Sequence, residues 1–341
     1  GSNFLTSNLV VSFTPSGGSA STATVTPSSD TAATVAVPSA IYGQSAGTVI
    51  GITVTNSDSR TSSTVNKTVR ALPSGGTVIV DGTERTHIFK ASTTNFVVPT
   101  DATLTNVEYL VVAGGGGGGG SFRGGGGGAG GVMSGTIPNL QPGTYTVTVG
   151  PGGGGGPTSQ PATGTDGGNS SIAVPSPKGG TIIAYGGGAG GDASNGENGG
   201  SGGGGPGTGP AKTGGYGFNP TTPAPNLNPA LAPLHPYPIT QGGNGASRQA
   251  APDNLGGGGG GTGGGSHPTN AIDAVSANGG PGTTFTITGA SVTKGGGGGA
   301  GAHAPGESGG EGGSGGGADG QPQGPNSQAP SASANTASGG G

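Results

Sequence analysis

Seven consecutive glycines at residues 114–120 constrain this chain more than any other feature, because a run without side chains adds nothing to a hydrophobic core. Comparable runs recur toward the end of the chain, at 124–128, 152–156, 202–205, 256–261 and 295–299. Residues 1–113 contain 9 glycines, and residues 114–341 contain the remaining 79 of the 88 (88 − 9). The sequence therefore consists of two kinds of material, and the second has few apolar side chains to bury.

Composition and charge exclude several classes of protein. Glycine and proline together make up 116 of 341 residues (88 + 28), while charged residues are 7% and apolar residues 28%, which does not suit an ordinary globular enzyme. Cysteine is absent, which excludes disulfides and thiolate metal sites. The net charge of −4, without a block of Lys or Arg, indicates no nucleic-acid partner. No stretch approaches the roughly 18 apolar residues of a membrane-spanning helix, so we expect no membrane insertion.

The sequence also gives no indication of catalysis or of cofactor binding. The four histidines are far apart, and the 13 charged residues of 114–341 are scattered, so we expect no catalytic residue, no metal site and no cofactor. The strand ending at Ala113 and the glycines that follow it formally match the dinucleotide-binding pattern G-x-G-x-x-G. That match is automatic in a glycine run. It also lacks the helix and the nearby acidic residue that nucleotide binding requires.

Short β-branched runs fill residues 1–72 and are separated by proline and polar turn residues. They are 9–13, 22–26, 33–37, 49–55 and 62–69. Strands at this spacing predict a β-sandwich of the immunoglobulin-like type. The span is short for a sandwich, for which about 100 residues is typical, so the module is expected to lack a strand or to borrow one from a partner.

Residues 73–113 form a second β region that opens the glycine-rich part. Four runs there have strand character, namely 77–80, 87–90, 96–99 and 107–112. Further strands with two-residue alternation lie among the glycine runs, at 144–149 and 285–288. We find no apolar stripe with helical spacing. The predicted fold class is therefore mainly β plus polyglycine II, with essentially no α-helix.

Two structures are open to the glycine runs of 114–341. An isolated run behaves as a flexible linker, but these runs alternate with strands that need burial. The ordered alternative is a bundle of packed polyglycine II helices, which are extended, left-handed and have three residues per turn. The amide groups of such helices point sideways and can bond to neighbouring helices, and the absence of Cβ allows close approach. We predict this bundle over 114–341, with a flexible tail at 318–341.

Side chains that could recognise a ligand are concentrated in one segment of the glycine-rich part. Residues 216–241 form a loop rich in proline and aromatic residues, in which proline lowers the entropy of holding one shape. The candidate receptor-binding residues are Tyr216, Phe218, Leu227, Leu231, Leu234, His235, Tyr237 and Ile239. The loop either binds a partner or folds back to cap the glycine stack. Phe122 and Arg123, between two glycine runs, are either further anchors or spacers in a turn.

Several of these segments resemble a known family. Thr77 to Gly120, with its strand that runs into seven glycines, resembles the opening of the glycine-rich domain of bacteriophage minor tail proteins. The segments 145–153, 185–191 and 291–295 resemble later parts of that domain. The resemblance covers roughly residues 75–320 and extends in style to the polyglycine-sandwich adhesins at tail-fibre tips. Residues 1–72 resemble the immunoglobulin-like modules that commonly precede such tips.

The resemblance implies a location in the virion, at a tail tip or fibre, and a role in host recognition. Rigid glycine shafts would carry loops that contact a bacterial surface receptor, either a protein or a glycan. Residues 1–72 would bind other tail proteins, and an oligomer is compatible with this arrangement. Members often close with an apolar strand after the last glycines, whereas this chain ends at Gly339-Gly340-Gly341.

We therefore expect a non-enzymatic tail-tip or tail-fibre protein that binds a host receptor. The alternative is a purely structural subunit of a virion or extracellular filament, assembled through the glycine-rich lattice. An enzyme such as a glycan depolymerase would need clustered carboxylates, which the scattered charges do not provide.

Overall fold

The computed structural model describes residues 4–5, 8–81, 84–92, 94–120, 123–157, 162–175, 180–208, 212–218, 241–247, 255–263, 277–302, 308–321 and 337–341. The chain divides into two compact units. Unit 1 is Gly1–Pro73 with Val98–Thr103, and unit 2 is Ser74–Val97 with Leu104–Gly341. The prediction of a mainly β chain with essentially no α-helix is confirmed, because the described residues contain one helix of four residues, α1 (Ser39–Tyr42).

The strands of the first 112 residues are β1 (Leu9–Pro15), β2 (Ser21–Val25), β3 (Val49–Thr55), β4 (Val65–Thr68), β5 (Thr77–Asp81), β6 (Glu84–Ile88), β7 (Phe96–Val98) and β8 (Leu104–Val112). The later strands are β9 (Val132–Leu140), β10 (Gly143–Thr148), β11 (Ser170–Val174), β12 (Gly180–Ala184), β13 (Thr283–Phe285) and β14 (Val292–Lys294).

Unit 1 contains an antiparallel sheet in the order β2-β1-β3-β4. One face of the sheet is apolar because alternate residues of β1 point the same way, and Val11 and Phe13 are buried there with Ile50 of β3. Residues 33–37, predicted as a strand, are not one. Their side chains Val35 and Val37 nevertheless pack against this core, so the apolar pattern reports burial without strand pairing.

The strands of unit 2 form the antiparallel pairs β5-β6, β8-β9 and β13-β14 and a four-stranded sheet in the order β12-β11-β10-β7, in which β12, β11 and β10 are antiparallel. β8 and β9 pack against β11 and β12, and this region holds most of the buried large side chains of the unit. Tyr109, Met133, Tyr145 and Ile182 are all at least 94% buried there, with exposures of 6%, 2%, 2% and 0%.

β9 is a strand that the sequence analysis did not predict. Gly135 and Pro138 interrupt its apolar pattern, and both have a structural reason. A Cβ at Gly135 would contact the ring of Tyr109, its cross-strand partner in β8. Pro138 has no N–H to donate, and the residue of β8 opposite it, Asn106, has a φ of 52° and interrupts the ladder there. The irregular residues of β9 therefore fit the partner strand.

The glycine runs of unit 2 are joined by backbone hydrogen bonds. We call 113–120 the central run, 124–131 the return run and 150–157 the edge run. The central run bonds to the return run, where the N–H groups of Gly116 and Gly119 donate to Gly128 (2.8 Å) and Gly125 (2.9 Å). It also bonds to the segments 150–157, 162–168, 186–191 and 337–341. Each run is therefore held by its neighbours, as each strand is in a sheet.

These hydrogen bonds advance three residues at a time. Gly114, Gly117 and Gly120 donate to one neighbouring segment, at Gly168 (3.0 Å), Thr165 (2.9 Å) and Ala162 (2.9 Å). The N–H groups of Gly153 and Gly156 reach Gly115 (2.8 Å) and Gly118 (2.9 Å) in the same way. Successive residues of the central run thus address different neighbours, whereas a β-strand would alternate between two sides.

The last described residues, 337–341, lie among these runs. Gly340 donates to Gly116 (2.9 Å) and accepts from Gly127 (2.8 Å), and Gly339 donates to Gly296 (2.9 Å). These residues belong to the segment 318–341, for which a flexible tail stays a prediction. Gly339 fills a place in the array that only a residue without Cβ can occupy, since a Cβ there would overlap the carbonyl of Gly127.

Candidate functional site

The glycine runs have two distinct ends. β8 leads into the central run and β9 follows the return run, and the N–H of Ala113 donates to the carbonyl of Gly131 (3.0 Å) where they meet the strands. We call this the near end, and the end at Gly120 the far end. Because the neighbouring runs are bonded in register, the described termini of these runs can be assigned to one of these ends.

Several runs reach the far end, where the N–H of Gly120 donates to the carbonyl of Ala162 (2.9 Å), that of Gly125 to Gly191 (2.8 Å) and that of Gly207 to Arg123 (2.8 Å). Asp192 is 1% exposed and joins two of the described segments there, since its carboxylate accepts from the N–H of Ala162 (2.8 Å) and its carbonyl accepts from the hydroxyl of Thr208 (2.8 Å). Asp192 therefore has a structural role.

The loop within 216–241 starts and ends at the near end. The N–H of Gln241 donates to the carbonyl of Phe218 (3.0 Å), which closes the base of the loop. The buried Gln241 amide accepts from the N–H of Tyr185 (2.8 Å) and donates to the carbonyl of Ile183 (2.9 Å). The rings of Phe218 and Tyr185 are 4.4 Å apart. Both ends of this loop are thus fixed to β12 and to each other.

The candidate residues identified from the sequence do not form one cluster. Tyr216 and Phe218 lie toward the near end, whereas Arg123 lies at the far end, where its carbonyl accepts from the N–H of Gly207 (2.8 Å). The remaining candidates, Phe122, Leu227, Leu231, Leu234, His235, Tyr237 and Ile239, lie outside the described residues.

Tyr216 lies on residues 212–218, which we call the aromatic run, and 68% of its surface is exposed. Polar side chains from the runs on both sides accept hydrogen bonds from the backbone of the aromatic run. Asn195 and Asn198 accept from Thr213 (3.2 Å) and Tyr216 (2.7 Å) on one side. On the other side Asn244 accepts from Gly217 (2.9 Å) and Ser247 accepts from Gly214 (3.3 Å). The exposed ring thus lies between two rows of fixed polar groups.

The asparagines of these rows were missed by the sequence analysis. A second pair shows the same arrangement, since Asp166 and Asn169 accept from the N–H groups of Ala189 (2.8 Å) and Gly186 (2.8 Å). In both pairs the two side chains are three residues apart in a glycine-rich context, as in Asp166-Gly-Gly-Asn169. That spacing was the available signal, because the hydrogen bonds between runs advance by three residues.

Burial perturbs two tyrosines of the near-end strands. It raises the pKa of Tyr109 well above its usual range. Burial also raises the pKa of Tyr145, whose hydroxyl donates a hydrogen bond to the carbonyl of Gln141 (2.7 Å). Both groups are components of the side-chain core.

Among the described residues, no group of three or more His, Cys, Asp or Glu is placed to hold a metal ion. No helix in that part of the chain has the length and hydropathy to cross a membrane.

Comparison with known proteins identifies a domain family. A family model described as a glycine-rich domain matches residues 90–341, more than half of the chain. No curated protein and no solved structure matches.

Proposed function

Because this chain belongs to the glycine-rich domain family, we propose that its glycine runs form a rigid bundle of polyglycine II helices that presents side-chain-bearing loops to a bacterial surface receptor. In this proposal the protein is a bacteriophage tail-tip or tail-fibre component, located in the virion, and is not an enzyme. The observation that carries the proposal is a hydrogen-bonded glycine array in which Phe218 and Gln241, bonded to each other, flank the side-chain-rich sequence 219–240.

Two features support polyglycine II as the conformation of the runs. The three-residue step of the hydrogen bonds is the repeat of that helix. None of the glycines at 114–120 has φ in the positive range, although glycine can adopt it, so the backbone is compatible with the left-handed extended helix. A bundle of this kind is stiff because each helix is fixed by neighbours on several sides, and stiffness positions the loops at its ends.

The side chains support recognition at the loops and connections. Most positions inside the array carry glycine, whose backbone offers no distinguishing chemistry, so specificity must come from side chains at the connections and on the surface of the array. The loop of residues 219–240 has the larger number of apolar and aromatic candidates, and its base is closed by Phe218 and Gln241. A loop whose ends are fixed loses less entropy when a receptor orders it.

Unit 1 supports the second part of the proposal. Its four-stranded sheet buries Val11, Phe13 and Ile50 on one face, as an immunoglobulin-like sandwich does with each of its sheets. We propose that residues 1–72 are such a module, completed by a partner strand where its own are insufficient, and that it binds other tail proteins.

Replacement of residues 219–240 by a short Gly-Ser connection tests the receptor site. Phe218 and Gln241 are retained because they bond to each other and close the loop. Labelled protein is titrated onto a panel of bacterial strains. We expect the wild type to adsorb to its host strain, and the shortened variant to lose adsorption while its melting temperature is unchanged.

A second variant, with both Phe122 and Arg123 changed to Gly, serves as the matched far-end control. Loss of adsorption in this control alone would move the receptor site to the far end. Absence of wild-type adsorption to every strain would refute the adhesin proposal.

One observation favours the alternative, a structural filament subunit assembled through the lattice. In the edge run, Gly152 and Gly155 are exposed, and neither their N–H nor their C=O groups bond to any described residue. An edge of this kind can template addition of another strand, as an open sheet edge does. Concentration-dependent filaments that are abolished by Gly155→Glu, with no adsorption to cells, would favour this alternative.

A further inference from the structure

The surface at the aromatic run combines an exposed ring, that of Tyr216, with side chains of the neighbouring runs that can donate hydrogen bonds. Tyr216 is 68% exposed, whereas the neighbouring Phe218 contacts Tyr185. Aromatic residues make up 4% of the chain, and in its described part the large exposed aromatic side chains are Tyr42 and Tyr216. The hydrogen-bonded backbone of the aromatic run fixes the position of the Tyr216 Cα, and the exposed ring offers a flat apolar face.

The asparagines beside Tyr216 are held in place by their own oxygens. The Oδ1 atoms of Asn198 and Asn244 accept from the N–H groups of Tyr216 (2.7 Å) and Gly217 (2.9 Å), so the two amides lie on opposite sides of the aromatic run. Each amide keeps a nitrogen with two N–H donors. Neither nitrogen donates to any residue in the described part of the chain.

Each row of polar side chains continues beyond these amides at a spacing of three residues. Asn195 lies three residues before Asn198, and Ser247 lies three residues after Asn244, and both are exposed. At the polyproline II rise, three residues span about 9 Å. The surface therefore presents uncharged hydrogen-bonding groups on both sides of the ring and at regular distances along it.

We propose that this surface, formed by Tyr216, Asn195, Asn198, Asn244 and Ser247, binds a neutral carbohydrate. The apolar face of a sugar ring stacks on Tyr216, because the C–H groups of that face carry partial positive charge and the ring face is negative. Hydroxyl groups at the rim of the sugar accept from the amide nitrogens of Asn198 and Asn244. The inference rests on the proposed receptor-binding function and names the chemical class of the receptor.

The chemistry of the surface favours this ligand over others. None of the five side chains is charged, which matches an uncharged polyol. Because the amides are already fixed by the backbone, little side-chain entropy is lost when a sugar binds. An extended glycan can continue along the rows, where Asn195 and Ser247 offer further polar contacts.

The test uses the full chain and an array of neutral oligosaccharides of glucose, galactose and N-acetylated hexosamines. We expect wild-type binding to a subset of the array, a loss of affinity of about tenfold or more in Tyr216→Ala, and affinity within about threefold of wild type in Tyr216→Phe, which keeps the ring. Tyr42→Ala is the matched control, because Tyr42 is 75% exposed but lies in unit 1. Equal binding by wild type and Tyr216→Ala, or an array without binding at millimolar sugar, overturns the proposal.

Adsorption to the host strain separates failure of this inference from failure of the proposed function. The carbohydrate site predicts that periodate oxidation of the cells reduces adsorption and that protease treatment does not. Adsorption that resists periodate and is unchanged in Tyr216→Ala overturns the carbohydrate site and leaves the adhesin proposal standing. Absence of wild-type adsorption to every strain refutes the proposed function independently of the array result.

Discussion

The central run and the edge run have nearly the same sequence but different surroundings. In the central run, a Cβ at any glycine from 114 to 120 would overlap a backbone atom of another segment. In the edge run, the same addition would overlap backbone at Gly153 and Gly156, whereas the nearest atoms to a Cβ at Gly152 and Gly155 lie 3.9 and 3.8 Å away. Glycine is thus required by packing at some positions of the array and not at others.

This difference shows what stabilises the glycine-rich unit. An array without side chains gains its stability from hydrogen bonds and dispersion contacts between backbones, which form only at very close approach. The position of a glycine within the array therefore determines how much stability is lost when a side chain is added there. Burial has the same role in an ordinary core.

The largest expected effect is that of alanine at the centre of the array. In Gly116→Ala the Cβ would overlap the carbonyl of Gly188, and neither backbone can move without breaking further bonds. We expect a loss of about 3 kcal/mol or more in the free energy of unfolding, measured by urea denaturation of the full chain. Gly155→Ala is the control, with an expected gain of up to about 1 kcal/mol from the restricted unfolded chain. Similar values for the two variants would contradict the comparison.

An alanine scan of the edge run tests its proposed three-residue repeat. The Cβ atoms of Gly153→Ala and Gly156→Ala would overlap the carbonyls of Thr165 and Ala162, and we expect each variant to lose about 2 kcal/mol. At Gly154 the nearest atom is the hydroxyl of Thr165, 3.7 Å away, so alanine is tolerated there. Melting temperatures along the run should fall at every third residue. A cost at every second residue would indicate a β-strand instead.

A smaller loss of stability is expected when a polar side chain that accepts from the backbone of a neighbouring run is removed. Asn169→Ala removes the acceptor for the buried N–H of Gly186, which we expect to cost about 1–2 kcal/mol. Asn169→Asp keeps the acceptor and should restore most of that loss. Amide hydrogen exchange at Gly186 reports the effect directly, and protection that is unchanged in Asn169→Ala would show that this bond contributes nothing.

Much of the fold could be predicted from the sequence because its strands follow simple patterns. β3 was predicted with the boundaries that the structure gives, since its β-branched residues end at a polar turn. β9 was missed because Gly135 and Pro138 are explained only by Tyr109 and Asn106 of the partner strand, which local patterns do not reveal. Interpretation of residues 33–37 as a strand failed for a similar reason, because their apolar side chains pack without strand pairing.

The candidate site could be predicted only in part. Exposed Tyr216 was identified as part of the proline- and aromatic-rich segment 216–241, but the asparagines beside it were not, because they approach it from other runs. Long-range register in the array is set by which backbones bond, and a repeated residue without a side chain carries little information about its partner.

The contribution of the side-chain core of the near-end strands to stability should depend on pH, whereas that of the glycine array should not. Buried Tyr109 and Tyr145 have raised pKa values, so the folded chain keeps their protons when the unfolded chain loses them above about pH 10. Stability is therefore unaffected by these groups below pH 10 and falls above it, by up to about 1.4 kcal/mol per pH unit for each tyrosine. Urea denaturation from pH 9 to 11 measures this. Tyr109→Phe should flatten the fall, whereas Tyr42→Phe, at an exposed position, should not.

The smallest expected effect compares two buried hydroxyls in the same unit. The Oγ of Ser201 is buried without a hydrogen-bond partner among the described residues, whereas the Oγ of Ser170 accepts from the N–H of Gly150 (2.9 Å). Ser201→Ala removes an unsatisfied polar group, and we expect a gain of up to about 1 kcal/mol. Ser170→Ala should instead lose about 1 kcal/mol, because it leaves the Gly150 donor without its acceptor. A loss of stability in Ser201→Ala would mean that its hydroxyl finds a partner in solution, and the glycine array would then depend on that side chain as well as on its backbone.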